Sequence, residues 1–235
     1  MSGYWLVMPA AGSGRRFGGP KQHAALSGRT VLETALRLFI DDERCRGGSV
    51  VHAAADPNAA QLRARLPPRF CLVAGGAERA RSVYLGLLAL ETRASAQDWV
   101  LVHDAARPCL SAPDRDRLLE RGASDAVGAL LALPVADTVK RAQGKEPARI
   151  DATLARDGLW LAQTPQMFRY APLRAALEQA EATARVPTDE AQAMEWMGLS
   201  AQLVPATDSN FKVTSAADLM LAAAILKARE EGGCG

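Results

Sequence analysis

Tyr4-Trp5-Leu6-Val7-Met8 runs straight into Pro9-Ala10-Ala11-Gly12-Ser13-Gly14-Arg15-Arg16-Phe17-Gly18-Gly19-Pro20-Lys21-Gln22. The first part is a short apolar run of the kind that forms a fully buried strand. The second is rich in small residues and carries cations. In open α/β sheets ligands sit beyond the carboxyl ends of the strands, so this loop is the first place to look for a site. Small residues let backbone amides approach a phosphate chain closely, and Arg16 and Lys21 add positive charge. Spacing narrows the reading. A dinucleotide fingerprint calls for a third glycine where Phe17 stands. A nucleoside-triphosphatase loop calls for Gly-Lys followed by Ser or Thr, whereas Lys21 lies between Pro20 and Gln22. Neither common loop is met, and a solvated Gly-rich turn remains the bland alternative.

Outward from that stretch, apolar runs alternate with amphipathic ones. Val31 to Phe39 follows the loop; Ser49 to Ala54 precedes Ala59 to Leu66; Phe70 to Val73 precedes Arg79 to Leu90. Trp99 to Val102 then precedes a helix near Pro113 to Arg121, and Ala126 to Val135 reads as a fifth buried strand. This βαβα rhythm predicts an α/β fold, a mostly parallel, doubly wound sheet with helices on both faces. Thr30-Val31-Leu32-Glu33 is a capping-box pattern, and Val83, Leu87 and Leu90 fall on one helical face. A last helix is expected from Ser215-Ala216-Ala217-Asp218, with Leu219, Ala222, Ala223 and Leu226 as its apolar stripe. The segment 136–157 carries charges, Gly144 and Pro147 without a core stripe, as a lid, a projecting arm or a disordered insert would. No internal repeat divides the chain, which is read as one domain over 1–235.

Composition sets further bounds. The 235 residues are 49% hydrophobic and 23% charged, an ordinary globular profile. With 28 basic and 26 acidic residues the net charge is +2, which gives no expectation of nucleic-acid binding, so any anion must be caught locally. Cys45, Cys71, Cys109 and Cys234 form no CxxC pair, and His23, His52 and His103 supply no zinc-ligand spacing. Reduced thiols in a cytoplasmic protein are expected. No apolar run approaches the roughly 18 residues of a membrane span, and the N-terminal stretch lacks a basic n-region and a cleavage site, so neither membrane insertion nor secretion is expected.

Two further segments occupy places where a ligand would lie. Gly75 to Val83 follows the third strand and opens a helix, where amides and the helix dipole favour an anion or a polar base edge; Glu78 and Arg79 there also read as solvated first-turn charges. His103-Asp104-Ala105-Ala106-Arg107-Pro108 follows the fourth strand. Asp104 suits a divalent metal or a ribose hydroxyl, or simply an ion pair with Arg107. Thr164-Pro165-Gln166 reads as a turn and Thr188-Asp189-Glu190-Ala191 as a helix cap. The residues give His23, His52 and Cys109 no partner.

Taken in order, these segments resemble the 2-C-methyl-D-erythritol 4-phosphate cytidylyltransferase family. The motifs are Pro9-Ala10-Ala11-Gly12-x-Gly14-x-Arg16, Pro20-Lys21-Gln22, Gly75-Gly76-x-x-Arg79-x-x-Ser82-Val83, His103 to Pro108, Asp137-Thr138, Asp157 to Trp160, Thr164 to Gln166, Thr188 to Ala191 and Lys212-Val213-Thr214. The match runs from Val7 to Leu219. It implies a Rossmann-like nucleotidyltransferase fold and transfer of CMP from CTP to the methylerythritol phosphate, with Mg²⁺ as cofactor. It also implies a homodimer in which the arm within 136–157 crosses to the partner subunit. By the same resemblance Arg16, Lys21, Lys212 and Arg156 are the catalytic cations, and Ala10, Ala11, Gly12, Gly14, Gly76, Ser82 and Asp104 hold CTP. Asp104, Ala105, Arg107, Thr138, Arg156 and Lys212 hold the acceptor; no metal ligand is assigned.

The tip Phe17 to Pro20 is shorter than in many relatives, and Ala216 stands where a proline often opens the last helix. A cytidylyltransferase for another polyol phosphate such as ribitol 5-phosphate and a non-catalytic nucleotide-binding module are the alternatives. A dinucleotide-dependent reductase is disfavoured by Phe17.

Overall fold

The computed structural model describes residues 3–12, 14, 17–144 and 146–232. Strand β1 (Tyr4–Ala10) is followed by a small hairpin of β2 (Ala25–Leu26) and β3 (Arg29–Thr30), then helix α1 (Val31–Ile40). Next come β4 (Cys45–His52), α2 (Ala59–Arg65), β5 (Phe70–Ala74), α3 (Arg79–Leu88), β6 (Trp99–Val102), α4 (Ala112–Ser124) and β7 (Gly128–Pro134). The expected alternation is therefore present, with element ends shifted by a few residues. The capping box on α1 is made, Thr30 Oγ1 accepting from the Glu33 amide at 3.1 Å and Glu33 Oε2 accepting from the Thr30 amide at 2.8 Å. Val83, Leu87 and Leu90 are fully buried.

Period-2 alternation along the strands splits the core into two layers. Tyr4, Leu6, Met8, Trp99 and Leu101 pack with Leu32, Leu36 and Phe39 of α1, Leu62 of α2, and Leu118 and Leu119 of α4. Trp5, Val7, Val51, Val100 and Val102 pack on the other face with Val83 and Leu87 of α3. That second layer also receives α5 (Tyr170–Ala182) and α6 (Glu190–Trp196) through Leu173, Leu177 and Met194. Gly86 permits the close seating of α3, since a Cβ there would lie 2.7 Å from Val7 Cγ1 and 2.9 Å from Val51 Cγ2.

Two strands depart from the sequence reading. β10 (Trp160–Arg169) absorbs the Thr164-Pro165-Gln166 stretch read as a turn, and β11 (Gln202–Pro205) was not expected. The seven-stranded sheet runs β11-β7-β10-β6-β1-β4-β5, with β10 antiparallel to both neighbours and the remaining pairs parallel. Pro165 cannot donate to a ladder, and the β10–β7 pairing accordingly shifts register between Ala162 and Gln166. The polar run Gln163 to Gln166, buried against the rest of the protein, carries no alternation from which a strand could be read.

Between β7 and β10 the segment of unresolved character is a hairpin. β8 (Val139–Gln143) and β9 (Arg149–Leu154) pair antiparallel with each other as a separate two-stranded sheet. Ile150 is 68% exposed, and Leu161 at its base is 59% exposed. The last helix, α7 (Ala216–Glu231), begins at the expected capping box of Ser215 and Asp218. Of its expected stripe Ala222 is fully buried, while Leu219, Ala223 and Leu226 pack partly buried around Leu26, Val31 and Val213. No helix among the described residues is long and apolar enough to cross a membrane.

Candidate active site

The chain leaves β1 toward β4 and β5 on one side, then returns in β6 on the other side of β1. The connections from the carboxyl ends of β1 and β6 therefore diverge, which is the crevice where doubly wound sheets bind ligands. A cleft of about 740 Å³ opens there. Ala10, Ala11, Gly12 and Gly14 form one wall and Lys21 closes its end. Gly76 and Ser82 come from the start of α3, Asp104 and Ala105 from the end of β6, and Lys212 from the segment before α7. Sequence positions more than 200 apart thus line one space.

The first loop is shaped by its glycines. Gly14 has φ +63°, and its carbonyl accepts from the amides of Phe17 at 2.8 Å and Gly19 at 3.3 Å. A Cβ at position 14 would lie 1.8 Å from the Gly19 carbonyl oxygen, so no larger residue fits this turn. Lys21 sits in a short 3-10 turn, Lys21–His23, and its Nζ donates to the Val213 carbonyl at 2.7 Å. At the second wall Ser82 Oγ accepts from the Gly76 amide at 3.2 Å and donates to the Glu78 carbonyl at 3.1 Å. The amino end of α3 opens on the cleft, where its dipole favours negative charge.

Asp104 is the electrostatic hub. Its Oδ1 accepts from Arg79 Nε at 2.8 Å and its Oδ2 from Lys212 Nζ at 2.6 Å. Burial by itself raises this carboxyl; the charges of Arg79 and then Lys212 outweigh burial and hold it well below the usual carboxylate range. Arg79 is in turn forked onto Glu190 at the start of α6, Nη1 to Oε1 at 2.7 Å and Nη2 to Oε2 at 3.0 Å. Although burial disfavours its cation, Glu190 and Asp104 hold Arg79 above the ordinary guanidinium range.

Behind Asp104 lies a buried polar chain. The Asp104 amide donates to Thr164 Oγ1 at 3.0 Å, Thr164 Oγ1 lies 3.2 Å from His103 Nδ1, and His103 Nε2 lies 3.1 Å from the Arg107 carbonyl. A carbonyl can only accept, so Nε2 carries the ring proton and Nδ1 takes the Thr164 hydroxyl. Burial pushes His103 down to about 4, which keeps it neutral. The 210–213 segment is tied alongside: the Val213 amide donates to the Ala106 carbonyl at 2.8 Å, and Asn210 Nδ2 donates to Gln163 Oε1 at 2.7 Å.

Not every expected site residue meets in this cleft. Arg107 turns away from it, its Nη1 donating to the Asn210 carbonyl at 2.7 Å, so the ion pair with Asp104 considered from the sequence is not made. Thr138 and Arg156 flank the hairpin, exposed and outside the cleft wall. Arg16 lies outside the described residues. Conversely, Arg79 and Glu190 are not solvated charges or a bare cap but members of the central network. Their one signal in the sequence was their presence inside quoted motifs, without a role. Of the histidines left unpartnered, His23 pairs through Nε2 with Asp56 at 2.8 Å.

The arrangement is a cation-flanked crevice beside a small-residue loop, suited to a nucleoside polyphosphate. The sequence profile of IspD, 2-C-methyl-D-erythritol 4-phosphate cytidylyltransferase, matches residues 4–228. A 2-C-methyl-D-erythritol 4-phosphate cytidylyltransferase of Halorhodospira halophila is 47% identical, over 97% of this chain and 96% of that protein. The protein of the same description from Dechloromonas aromatica is 48% identical over 98% of this chain and its own full length. A crystal structure of 4-diphosphocytidyl-2C-methyl-D-erythritol synthase superposes with a TM-score of 0.84 at 35% identity, covering 96% of this chain and 99% of that one. Profile, relatives and fold agree along nearly the whole length, and the chain belongs to the 2-C-methyl-D-erythritol 4-phosphate cytidylyltransferase family.

Proposed function

We propose that this protein transfers CMP from CTP to 2-C-methyl-D-erythritol 4-phosphate, forming 4-diphosphocytidyl-2-C-methyl-D-erythritol and releasing pyrophosphate, with Lys21 and Lys212 as its principal described cations. The observation that carries the reading is their convergence on one crevice with Asp104 and the Gly12–Gly14 loop, in a chain of this family. An acceptor phosphate oxygen attacks the α-phosphorus, and the bond from the α-phosphorus to the bridging oxygen breaks as pyrophosphate departs. The acceptor phosphate is already anionic, so no proton need be removed. The cleft's chemistry agrees, since no histidine among the described residues lines it and His103, behind Asp104, is buried and neutral. Catalysis then rests on alignment and on neutralising charge. Lys21 and, from outside the described residues, Arg16 stabilise the α-phosphoryl group and the leaving pyrophosphate. Lys212 grips the acceptor phosphate, and the backbone of Ala10 to Gly12 with Gly76 and Ser82 surrounds the cytidine.

Among the described residues no group of three His, Cys, Asp or Glu side chains could cage a metal. Two carboxylates, Glu78 and Asp104, line the cleft, and each oxygen of Asp104 has lone-pair capacity beyond the one cation it already meets. Asp104 would be the side chain that helps to hold Mg²⁺ carried in on the triphosphate. When bound, the ion supplies charge neutralisation along the triphosphate. Thr138 and Arg156 would reach an acceptor from the partner's hairpin in a homodimer. Exposed Ile150, Leu154 and Leu161 on and beside that hairpin support such pairing. Free Cys45, Cys71 and Cys109 support a reducing, cytoplasmic setting.

The test is pyrophosphate release from CTP and Mg²⁺ with methylerythritol phosphate, beside ribitol 5-phosphate and a no-acceptor control. Release with methylerythritol phosphate alone is expected. Preference for ribitol 5-phosphate would overturn the acceptor, and silence with both would overturn the activity.

A further inference from the structure

Glu190 lies at the first position of α6, is fully buried, and sits outside the cleft wall. Nothing in the transfer chemistry requires it, yet a buried carboxylate is costly unless it is paired and hydrogen-bonded. Both its oxygens are spent on the two terminal nitrogens of Arg79. Arg79 meets Asp104 along its other edge, Nε donating to Oδ1 at 2.8 Å. Oδ2 takes Lys212 Nζ at 2.6 Å. The four side chains alternate in sign, Glu190, Arg79, Asp104, Lys212, and the last faces the reacting phosphates in the function proposed above.

We propose that Glu190 is a positioning residue for CMP transfer: by holding both terminal nitrogens of Arg79 it keeps that guanidinium off the triphosphate path and reserves one oxygen of Asp104 to aim Lys212. The inference rests on the proposed cytidylyltransferase reading for its kinetic consequence, though not for its geometry. Without the Glu190 charge, the fork of Arg79 is free to turn. It can take both oxygens of Asp104, the favoured bidentate arrangement, or bind a CTP phosphate in the ground state. The first turn competes with Lys212 for Oδ2, and the second withdraws from Asp104 the cation that fixes its carboxylate beside Lys212. Lost alignment slows the chemical step, while a new ground-state contact tightens or preserves CTP binding.

The experiment compares Glu190→Gln, Arg79→Gln and the double variant with wild type, in turnover, melting temperature and labelling of Lys212 by an amine-acylating reagent. Labelling is read by mass spectrometry against exposed Lys227 in the same sample. Glu190→Gln is expected to lower kcat on the order of 10- to 100-fold, with KM for CTP unchanged or lower, and to raise Lys212 labelling several-fold. In the Arg79→Gln background, Glu190→Gln should add little to either effect, because the residue it acts through is gone. The double variant, with no buried charge left unpaired between the two sites, should melt above Glu190→Gln alone.

An unchanged kcat in Glu190→Gln with only a lower melting temperature would make the pair a structural ion bridge and overturn the proposal. Equal, multiplicative losses in both backgrounds would overturn it as well. If wild type itself is silent with CTP and methylerythritol phosphate, the activity reading falls. The labelling cycle then decides alone, with uncoupled Lys212 reactivity counting against the network.

Discussion

Replacing Asp104 by Asn removes one charge from the centre of the network and leaves its shape almost unchanged. Asp104 is 6% exposed, so water cannot take over the role of its carboxylate. Removing one partner of a buried ion pair costs about 3–5 kcal/mol, because the remaining charge stays unpaired. Two features lower that figure here. The Lys212 side chain is 37% exposed and can turn to solvent, and Arg79 keeps both bonds to Glu190. An expected loss of about 2–3 kcal/mol follows, which for a chain of this size corresponds to about 4–12 °C in Tm.

The assay is a thermal melt of both proteins, without ligands, across pH. The sign follows from the held-down carboxyl: its stabilisation is fully present above the unfolded value near 4 and is lost as pH falls toward the lower folded value. The gap between wild type and Asp104→Asn should therefore be constant from about pH 8 to 5.5 and narrow only below about pH 4. A gap under about 1 °C at neutral pH, well below the range worked out above, or one that widens on acidification, would refute the account of Asp104 as a buried, ionised hub.

Lys212→Met should lower kcat by about 10²- to 10³-fold, the usual cost of one lost charge-stabilising donor, while stability changes by less than about 1 kcal/mol because the ammonium is partly solvated. Steady-state pyrophosphate release beside a urea melt separates the two, and a kcat within threefold of wild type would remove Lys212 from the proposed chemistry. Mixed dimers of Lys21→Ala and Arg156→Ala subunits, each nearly inactive alone, should regain one intact site if the hairpin serves the partner's cleft; verified mixed dimers without recovery would confine the site to one subunit. Gly86→Ala should destabilise by about 1–2 kcal/mol, overpacking against Val7 and Val51 outweighing the gain in helix propensity. A urea midpoint that rises instead would mean that α3 is seated less tightly than its contacts indicate.

The sequence by itself determined what depends on near neighbours along the chain. The strand–helix alternation from Tyr4 to Pro134, the box of Thr30 and Glu33, the start of α7 at Ser215 and the small-residue turn at Gly14 are all short-range. Each follows from periodicity, a cap or a forbidden Cβ within a few residues. Placement of the Gly12, Gly76 and Asp104 motifs at the carboxyl ends of neighbouring strands was also legible, because ligand loops follow parallel strands, whereas Lys212 entered only through the family resemblance. Only the tertiary structure decided the antiparallel course of β10, whose Gln163 to Gln166 run is polar yet buried, so burial and hydropathy part company there. It alone joined Arg79 to Glu190 across 111 residues, Lys212 to Asp104 across 108 and Lys21 to Val213 across 192. It also turned Arg107 onto Asn210 instead. Local pattern encodes which face of an element is buried, but which cation meets which carboxylate depends on the path of the folded chain, and no local propensity carries that information.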